Sequence, residues 1–400
     1  MPSPAAPDET TANPGTKGVR EVGFLFLGGR HQMLHIAPVA AALAEATGGR
    51  CAARLFVGSA EDGRALSEVL GSLGMRSASE QLRVPRVLEM LAPAWSSTAP
   101  LKAPRLIFNL RALRGVDALV VAERTSTILK RLPGRRPTLI HIPHGAGDGG
   151  KGFERRIKLF DYVITAGAKD RDRMVGEGLV APERCFVSGY VKLGAIRRMR
   201  AGEQPPRLFA SDRPIVLYNP HFNAELGSWR RFSRSVVSAI LEETDANLVI
   251  APHVRLRERL EREDQAWLRG IAQDPRILVD LGSPRSSDMT YTLAADVYLG
   301  DVSSQVYEFV HRPRPCVFLN ATGRDQTGNP DFAFWRFGEV VNEPDQVGVA
   351  VARAKGRHAG FAEAQRTGAL EALGPPDADP AARAAQIIGA IVERTERRTR

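Results

Sequence analysis

Short apolar runs alternate with longer amphipathic segments along most of the chain, starting at Val22. The runs of the first half are VGFLFL, CAARLFV, DALVVA, TLIHI, DYVIT and CFVSG, and those of the second half are PIVLYN, NLVIA, RILVD, DVYLG, PCVFLN and GEVVN. Runs of this length, separated by helical segments, are typical of βα units and a mostly parallel sheet. The two comparable sets predict an α/β protein with two doubly wound, Rossmann-like domains.

A charged segment with little periodicity, RRMRAGEQPPRLFASDRP at residues 197–214, separates the two sets. Its proline pair and polar composition are typical of an interdomain linker. We therefore expect an N-terminal Rossmann-like domain at residues 19–200, a linker at 201–213 and a C-terminal Rossmann-like domain at 214–375. Residues 1–18 are rich in Pro, Thr and Ala and predict a disordered tail.

The last segment, residues 376–400, predicts a helix. Asp379 suits the N-cap, and Pro380 suits the first helical position because its missing N–H would be unpaired there in any residue. The apolar residues that fall on one face of this helix are Ala384, Ile387, Ile388, Ile391 and Val392.

The chain of 400 residues carries 55 Lys and Arg against 45 Asp and Glu, which gives a net charge of +10. A positive balance favours anionic partners such as nucleotides, phosphate polymers or an anionic membrane surface. Because the basic residues are interspersed with acids and not with aromatics, we expect no nucleic acid partner. The three cysteines lie far apart, in or beside apolar runs, which predicts reduced core thiols in the cytoplasm and neither a disulfide nor a metal site.

Several sequence signatures are absent. No apolar run reaches the ~18 residues that a membrane span needs, and the N-terminus lacks the apolar core of a signal peptide. The chain contains no P-loop, no HExxH, no CxxC, no GxSxG and no dinucleotide-binding GxGxxG. These absences argue against the enzyme classes that depend on those motifs.

Open parallel sheets bind ligands at the carboxyl ends of their strands, where loops lead into helices. Two such sheets that face each other would form a deep interdomain cleft. We therefore look for functional residues in the loops that follow the predicted strands.

The first candidate loop follows the strand DVYLG and contains Asp301, Ser303 and Ser304 at the start of a predicted helix. Free backbone N–H groups and serine hydroxyls at such a turn favour a phosphate, and Glu308 one turn later suits ribose hydroxyls. An equally good interpretation is structural, with Ser304 as a helix cap and Asp301 satisfying the turn.

The second candidate is TLIHIPHGAGDGGKGF, in which a strand runs into a glycine-rich loop. His144 follows the strand and suits a general base, because imidazole titrates near neutral pH. Lys151 suits phosphate neutralisation, and Gly145 is a candidate substrate contact. The alternative is a flexible loop with an incidental histidine. We interpret His141 as a strand residue.

Two further strand ends carry candidates. His253 follows the strand NLVIA and, with arginines nearby, suits stabilisation of negative charge on a leaving phosphate; it also suits a plain helix entry. Candidate substrate contacts at the other strand ends are Gly28, Gly29, Arg30, His31 and His221. The glycine pair alone is also compatible with a simple tight turn.

Taken in order, these loops resemble the motifs of the CDP-glycerol glycerophosphotransferase family. The segments that carry the resemblance are PHGAGDGGKGF, FDYVITAGAKDRDRMVGEGL, RCFVSGYVKLGAI, PIVLYNPHF, VIAPHVRL and ADVYLGDVSSQVYEFVHRPRPCVFLN, within residues 138–320. The sequence departs from the family where HGA replaces His-Gly-Thr, where GYVKLGA lacks an aspartate, and where PHF replaces an Ala-Pro-Thr-Trp run. The N-terminal GRHQMLHIAPVAAAL is similar to the opening of non-hydrolysing UDP-N-acetylglucosamine 2-epimerases.

The resemblance implies a GT-B fold of two facing Rossmann-like domains, with acceptor and nucleotide donor on the N- and C-terminal sides. Residue by residue, it implies that His144 is the base for the acceptor and that His253 contacts the donor phosphates. The family's phosphate-binding Asp-Tyr-Ser-Ser falls on Asp301, Ser303 and Ser304, with Val302 in place of the tyrosine.

The implied activity is transfer of glycerol phosphate or a related group from a CDP-glycerol-like donor to an acceptor hydroxyl in cell-envelope polymer or glycan synthesis. No metal and no other cofactor is expected. The alternatives are a nucleotide-sugar glycosyltransferase, a UDP-N-acetylglucosamine 2-epimerase-like enzyme, or a non-catalytic nucleotide- or polymer-binding protein that has kept the fold.

The segment LKAPRLIFNLRALRG at residues 101–115 mixes apolar and basic residues. A helix of this composition suits the surface of an anionic membrane, close to a lipid-linked acceptor. We therefore expect a cytoplasmic protein with peripheral contact to the inner face of the membrane; a docked amphipathic helix is the alternative.

Overall fold

The computed structural model describes residues 18–91, 101–203, 206–376 and 378–399, without the side chains of Leu91, Lys151 and residues 396–399. Apart from Gly18, the predicted disordered tail lies outside the described residues, as do two positions of the predicted linker, 204 and 205.

Within these ranges, thirteen strands form two parallel sheets. The first sheet contains β1 (Arg20–Phe26), β2 (Cys51–Val57), β3 (Ser79–Gln81), β4 (Ala118–Val121), β5 (Thr138–His141), β6 (Tyr162–Thr165) and β7 (Cys185–Val187). The second contains β8 (Ile215–Asn219), β9 (Asn247–Ile250), β10 (Ile277–Val279), β11 (Val297–Gly300), β12 (Cys316–Leu319) and β13 (Glu339–Val341). All twelve predicted apolar runs contain strands; β3 was not predicted, because its three residues, SEQ, are polar and form an edge strand.

Fourteen α-helices accompany the strands within the described residues. They are α1 (Arg30–Ala46), α2 (Ala60–Ser72), α3 (Arg86–Leu91), α4 (Lys102–Phe108), α5 (Leu110–Arg114), α6 (Ala168–Gly176), α7 (Val191–Met199), α8 (Trp229–Glu243), α9 (Arg262–Ile271), α10 (Thr290–Ala294), α11 (Gln305–Val310), α12 (Val347–Arg357), α13 (Ala362–Leu373) and α14 (Pro380–Thr399).

Both sheets have the doubly wound strand order. The first runs β3-β2-β1-β4-β5-β6-β7 and the second β10-β9-β8-β11-β12-β13. In each sheet the order reverses beside the first strand, β1 or β8, which is where ligands bind in open α/β sheets. The predicted architecture of two Rossmann-like domains is confirmed.

The strands are apolar because helices cover both sheet faces. Every residue of β4 and of β11 is buried. All three cysteines, at positions 51, 185 and 316, are buried and unpaired, which confirms the prediction of core thiols.

The C-terminal helix was predicted correctly. The Asp379 carboxylate accepts hydrogen bonds from the N–H groups of Ala381 and Ala382, at 3.0 and 3.1 Å. Four of the five predicted face residues, Ala384, Ile388, Ile391 and Val392, are buried. The helix packs on α1 and α7, so the end of the chain returns to the first domain.

The two domains are packed together, since one apolar cluster extends from α1 through Tyr190 to Tyr298 and Phe309 of the second domain. The loop that follows β5 lies against the turn that follows β11, since a Cβ at Gly147 would stand 2.6 Å from that of Ser304. This arrangement brings the candidate loops of both domains to one gap.

Candidate active site

Three histidines of the first domain converge at the carboxyl edge of its sheet. His31 and His35, one turn apart on α1, lie with ring centroids 5.8 and 6.4 Å from that of His144, which follows β5. His35 is buried against Tyr190, with 5.5 Å between the ring centroids. The i, i+4 spacing of the two α1 histidines was a usable sequence signal, but sequence analysis selected only His31.

The hydrogen bonds of His144 fix its neutral tautomer. Its Nδ1 lies 2.7 Å from the carbonyl oxygen of Ala122, which only accepts, so Nδ1 carries the proton. Nε2 therefore holds the free lone pair of a base. Burial lowers the pKa of His144, as do the positive charges of Arg124, Arg255 and Lys102, while the bond to Ala122 opposes this shift. His144 is thus neutral at pH 7.

Gln32 is a site residue that sequence analysis missed. Its side-chain nitrogen lies 3.4 Å from His144 Nε2. The side chain fits there because residue 28 is glycine: a Cβ at Gly28 would stand 1.5 Å from the Gln32 amide oxygen. Gly28 is therefore needed for space at this strand end, and Gly29 precedes the first residue of α1.

The second domain contributes His221, Phe222 and His253. The ring centroid of His253 lies 5.5 Å from that of His221 and 4.6 Å from that of Phe222. His253 Nδ1 accepts the backbone N–H of Arg255 at 3.2 Å, so in the neutral ring Nε2 carries the proton. His144 and His253 consequently present opposite functions, a lone pair and an N–H donor.

Charged and titratable groups of the two domains influence each other's pKa values across the gap. Burial lowers the pKa of His253 most, and together with smaller effects of His221, His31, Arg255 and His144 it brings this pKa to about 3. Burial likewise lowers the pKa of His31 to about 3, followed by the effects of His144 and Arg255. His253 is therefore neutral, and the positive charge of the gap comes from Arg255 and Lys102.

The Asp301 carboxylate is directed at its own domain. It is 1% exposed and accepts the backbone N–H of His221 at 3.0 Å and both the N–H and the hydroxyl of Ser228, at 2.6 and 2.8 Å. The Asp301 side chain thus holds the loop between His221 and Ser228, which carries Phe222.

Ser303 and Ser304 precede α11, and Ser304 lies against the glycine-rich loop of the first domain. A Cβ at Gly147 would lie 2.6 Å from the Cβ of Ser304, and one at Gly145 would lie 3.4 Å from its hydroxyl. Among the described residues, the Ser304 side chain makes no capping hydrogen bond; the Ser303 hydroxyl accepts the N–H of Gln305 at 3.3 Å. Glycines let the loop that begins with His144 lie directly against the serine turn.

Glu308 forms a buried contact between the domains. Its Oε1 accepts the hydroxyl of Tyr190 at 2.6 Å and the ammonium of Lys192 at 2.7 Å. Tyr190 and Lys192 lie at the start of α7 in the first domain. The Glu308 carboxylate on α11 therefore bonds to the first domain across the interface.

Two further candidates from the sequence, Arg30 and Lys151, are not among the contacts of this gap. Arg30 forms a surface ion pair with Glu68 at 2.8 Å. The Lys151 side chain lies outside the described residues.

Among the residues that the structure describes, no cluster of His, Cys, Asp and Glu is placed to hold a metal ion. Within the same ranges, no helix combines the length and the apolar character of a membrane span.

Sequence comparisons give no match: no model of a known protein family and no curated protein matches the chain. Solved structures, by contrast, share its fold. The structure of S. aureus MnaA with UDP is 15% identical, covers 94% of this chain and 97% of its own, and has a TM-score of 0.63. A Neisseria meningitidis UDP-GlcNAc 2-epimerase bound to UDP-GlcNAc is 13% identical over 94% of this chain and 100% of its own, with a TM-score of 0.56.

The wall teichoic acid polymerase TagF is a third match, 13% identical over 95% of this chain and 90% of its own, with a TM-score of 0.59. Both families that the sequence motifs resemble are thus represented among solved structures of this shape. At these identities the likeness shows a common fold, which confirms the GT-B-like architecture.

Proposed function

We propose that the protein is a transferase that moves glycerol phosphate, or a closely related group, from a CDP-glycerol-like donor to an acceptor hydroxyl. The contact between the loop that begins with His144 and the turn at Ser303 and Ser304 carries this proposal, because it joins a base from one sheet to a hydroxyl-bearing turn from the other. The positive charge of Arg255 and Lys102 at the same gap suits an anionic donor.

In the proposed reaction an acceptor oxygen attacks the phosphorus that bears glycerol. The bond from that phosphorus to the oxygen of CMP breaks, and CMP leaves. The acceptor's proton passes to His144 Nε2, while the N–H of His253 and the charge of Arg255 stabilise the departing phosphate. Asp301 acts by positioning the loop of His221 and Phe222.

The nearby carboxylates favour this chemistry over epimerisation at carbon. Asp301 and Glu308 already accept hydrogen bonds from protein groups, whereas His144 Nε2 lies close only to the amide nitrogen of Gln32 among the contacts described. A neutral imidazole suits removal of a proton from a hydroxyl group, because an O–H proton is more acidic than a C–H proton.

We expect CDP-glycerol to raise the melting temperature of the protein more than UDP- or GDP-linked compounds do. A ligand that binds only the folded state at 100 times its dissociation constant stabilises it by about 2.7 kcal/mol. Thermal shift assays with the three nucleotide series measure this directly.

Turnover separates the remaining alternatives. A transferase releases CMP only when an acceptor is present, whereas a 2-epimerase converts UDP-N-acetylglucosamine without one. Epimerisation in the absence of acceptor would contradict the proposal, and binding with no turnover under any condition would indicate a non-catalytic protein.

We further propose contact with an anionic membrane through α4 and α5. The predicted single helix at residues 101–115 is two short helices in the structure, which bury Leu106 and Leu113 but leave Ile107 and Phe108 42% and 58% exposed. Exposed apolar side chains beside basic ones suit an interfacial segment.

Changing Phe108 to Ser together with Arg111 to Glu is expected to lower cosedimentation with vesicles that contain phosphatidylserine. The matched control changes Val349 and Leu370 to Ser, because these side chains are similarly exposed, at 55% and 54%, on other helices. Equal binding by the two double variants would contradict a membrane contact at α4.

A further inference from the structure

A buried aspartate connects the loop of His144 to the helix that follows Ser304. Asp148, four residues after His144, is 2% exposed. Both of its carboxylate oxygens lie 2.9 Å from the hydroxyl of Tyr307 on α11, and one accepts the backbone N–H of Phe334 at 3.0 Å. Both partners belong to the second domain, so the carboxylate spans the domain interface.

The first domain completes the bonding of this carboxylate. The ammonium of Lys169, on α6, lies 2.8 Å from Asp148 Oδ1 and 4.9 Å from the Tyr307 ring centroid. The Asp148 charge is thereby paired inside the interface, as a buried carboxylate requires. Burial raises the pKa of Tyr307, and the Asp148 charge raises it further, so the phenol is protonated and donates its hydrogen bond.

The helix α11 is therefore attached to the first domain at consecutive residues. Tyr307 binds Asp148 of the His144 loop, and Glu308 binds Tyr190 and Lys192 beside α7. The same helix begins directly after the serine turn. If the serine turn moves relative to the first sheet, both of these contacts must therefore move with it or break.

The segment between His144 and Asp148 is short and fixed at both ends. His144 is held through Nδ1 by Ala122, and Asp148 is held through its carboxylate by Tyr307. Three residues, 145–147, join the two fixed points, and a chain extends by at most about 3.3–3.6 Å per residue. Movement of α11 is therefore transmitted to the imidazole through a short connection.

We propose that Asp148 and Tyr307 position the general base: their hydrogen bond couples α11, the helix of the donor-side turn, to the His144 loop and aligns His144 when the domains are closed. This inference rests on the proposed function of His144. It also gives a role to the aspartate in GAGDGGK, which sequence analysis had treated only as part of a glycine-rich loop.

The test compares Tyr307→Phe and Asp148→Asn with the wild-type enzyme. Tyr307→Phe removes only the hydroxyl, so the fold is retained while the hydrogen bond is lost. We expect kcat to fall by about 10- to 100-fold, since a displacement of 1 Å at a reacting group costs up to about 100-fold. Donor affinity is expected to change much less. The double variant should lose little more than either single one, because both remove one interaction.

Asp288→Asn is the matched control. Asp288 forms another ion pair across the same interface, with Arg200 at 3.2 Å, and among the contacts described neither residue bonds to Asp148 or to the loop of His144. Its kcat should stay near that of the wild type. An equal loss in Asp288→Asn would overturn the inference, because it would show that general loosening of the interface is responsible.

A second readout does not depend on turnover. In protein labelled with ¹³C at histidine Cε1, the His144 resonance, assigned with a His144→Gln variant, should shift in Tyr307→Phe and remain unchanged in Asp288→Asn. An unchanged His144 resonance in Tyr307→Phe would overturn the inference even if the wild type transfers the proposed group. Absence of transfer by the wild type would contradict the proposed function and leave this measurement as the test of the coupling.

Discussion

Replacement of His144 by Ala is expected to lower kcat of transfer by about 100- to 10,000-fold, which is the usual contribution of a general base. The reason is the tautomer: with Nδ1–H bonded to Ala122, Nε2 is the atom that can take a proton. Donor affinity should remain nearly unchanged, because the nucleotide is expected to bind mainly to the second domain. Product release assays and donor thermal shifts on the same preparation measure the two effects.

The rate of transfer should depend on pH through the protonation of His144. The base must be neutral, and burial holds the pKa of His144 below the ordinary value of 6.5. The rate should therefore stay constant as the pH falls through 6.5 and decline only below the depressed pKa. In His144→Ala this acidic decline should disappear.

His358→Gln is a suitable control, because His358 contacts Gln365 on the helical segment around α13, remote from the described site. It should retain full turnover. Retention of most activity by His144→Ala, or equal losses in both variants, would exclude His144 as the base.

Sequence patterns predicted the fold well because both sheets are buried on both faces. Strands such as β4, Ala118–Val121, are continuous apolar runs between polar turns, which is the pattern of a strand that is buried on both faces. The edge strand β3 could not be predicted in this way, since its residues Ser79–Gln81 are all polar and none of them is buried.

The candidate site was predictable only in part. Strand ends in a parallel sheet share one edge, so His144, His253 and Ser304 could be selected from their positions along the chain. Side-chain bonds between the two domains leave no such local pattern in the sequence. Asp148 binds Tyr307 at a separation of 159 residues, and Glu308 binds Lys192 at a separation of 116, and only the packing of the two sheets reveals these bonds.

Asp301 was predicted to contact the donor phosphate, which stays a prediction, and the structure shows a further role for its carboxylate within its own domain. The sequence suggested a contact with the donor phosphate, but a carboxylate repels a phosphate, and here its oxygens accept N–H and O–H groups of the loop at 221–228. The proposed anion site would thus lie beside a carboxylate whose charge is already stabilised by neighbouring N–H and O–H donors.

Asp301→Ala is therefore expected to reduce stability strongly, by about 3 kcal/mol or more. Removal of the carboxylate leaves the buried N–H groups of His221 and Ser228 and the Ser228 hydroxyl without this acceptor, and each such loss costs about 1–3 kcal/mol. Asp301→Asn should cost less, since one oxygen acceptor remains. Urea unfolding, followed by tryptophan fluorescence, measures both values.

Asp325→Ala provides the comparison. Asp325 also accepts a backbone N–H and a hydroxyl, both from Thr327, but it does so on the surface, where water replaces the lost acceptor. Its unfolding midpoint should stay close to that of the wild type. If Asp301→Ala instead kept wild-type stability and lost only donor affinity, Asp301 would contact the ligand itself, and the loop of His221 and Phe222 would be held by other means.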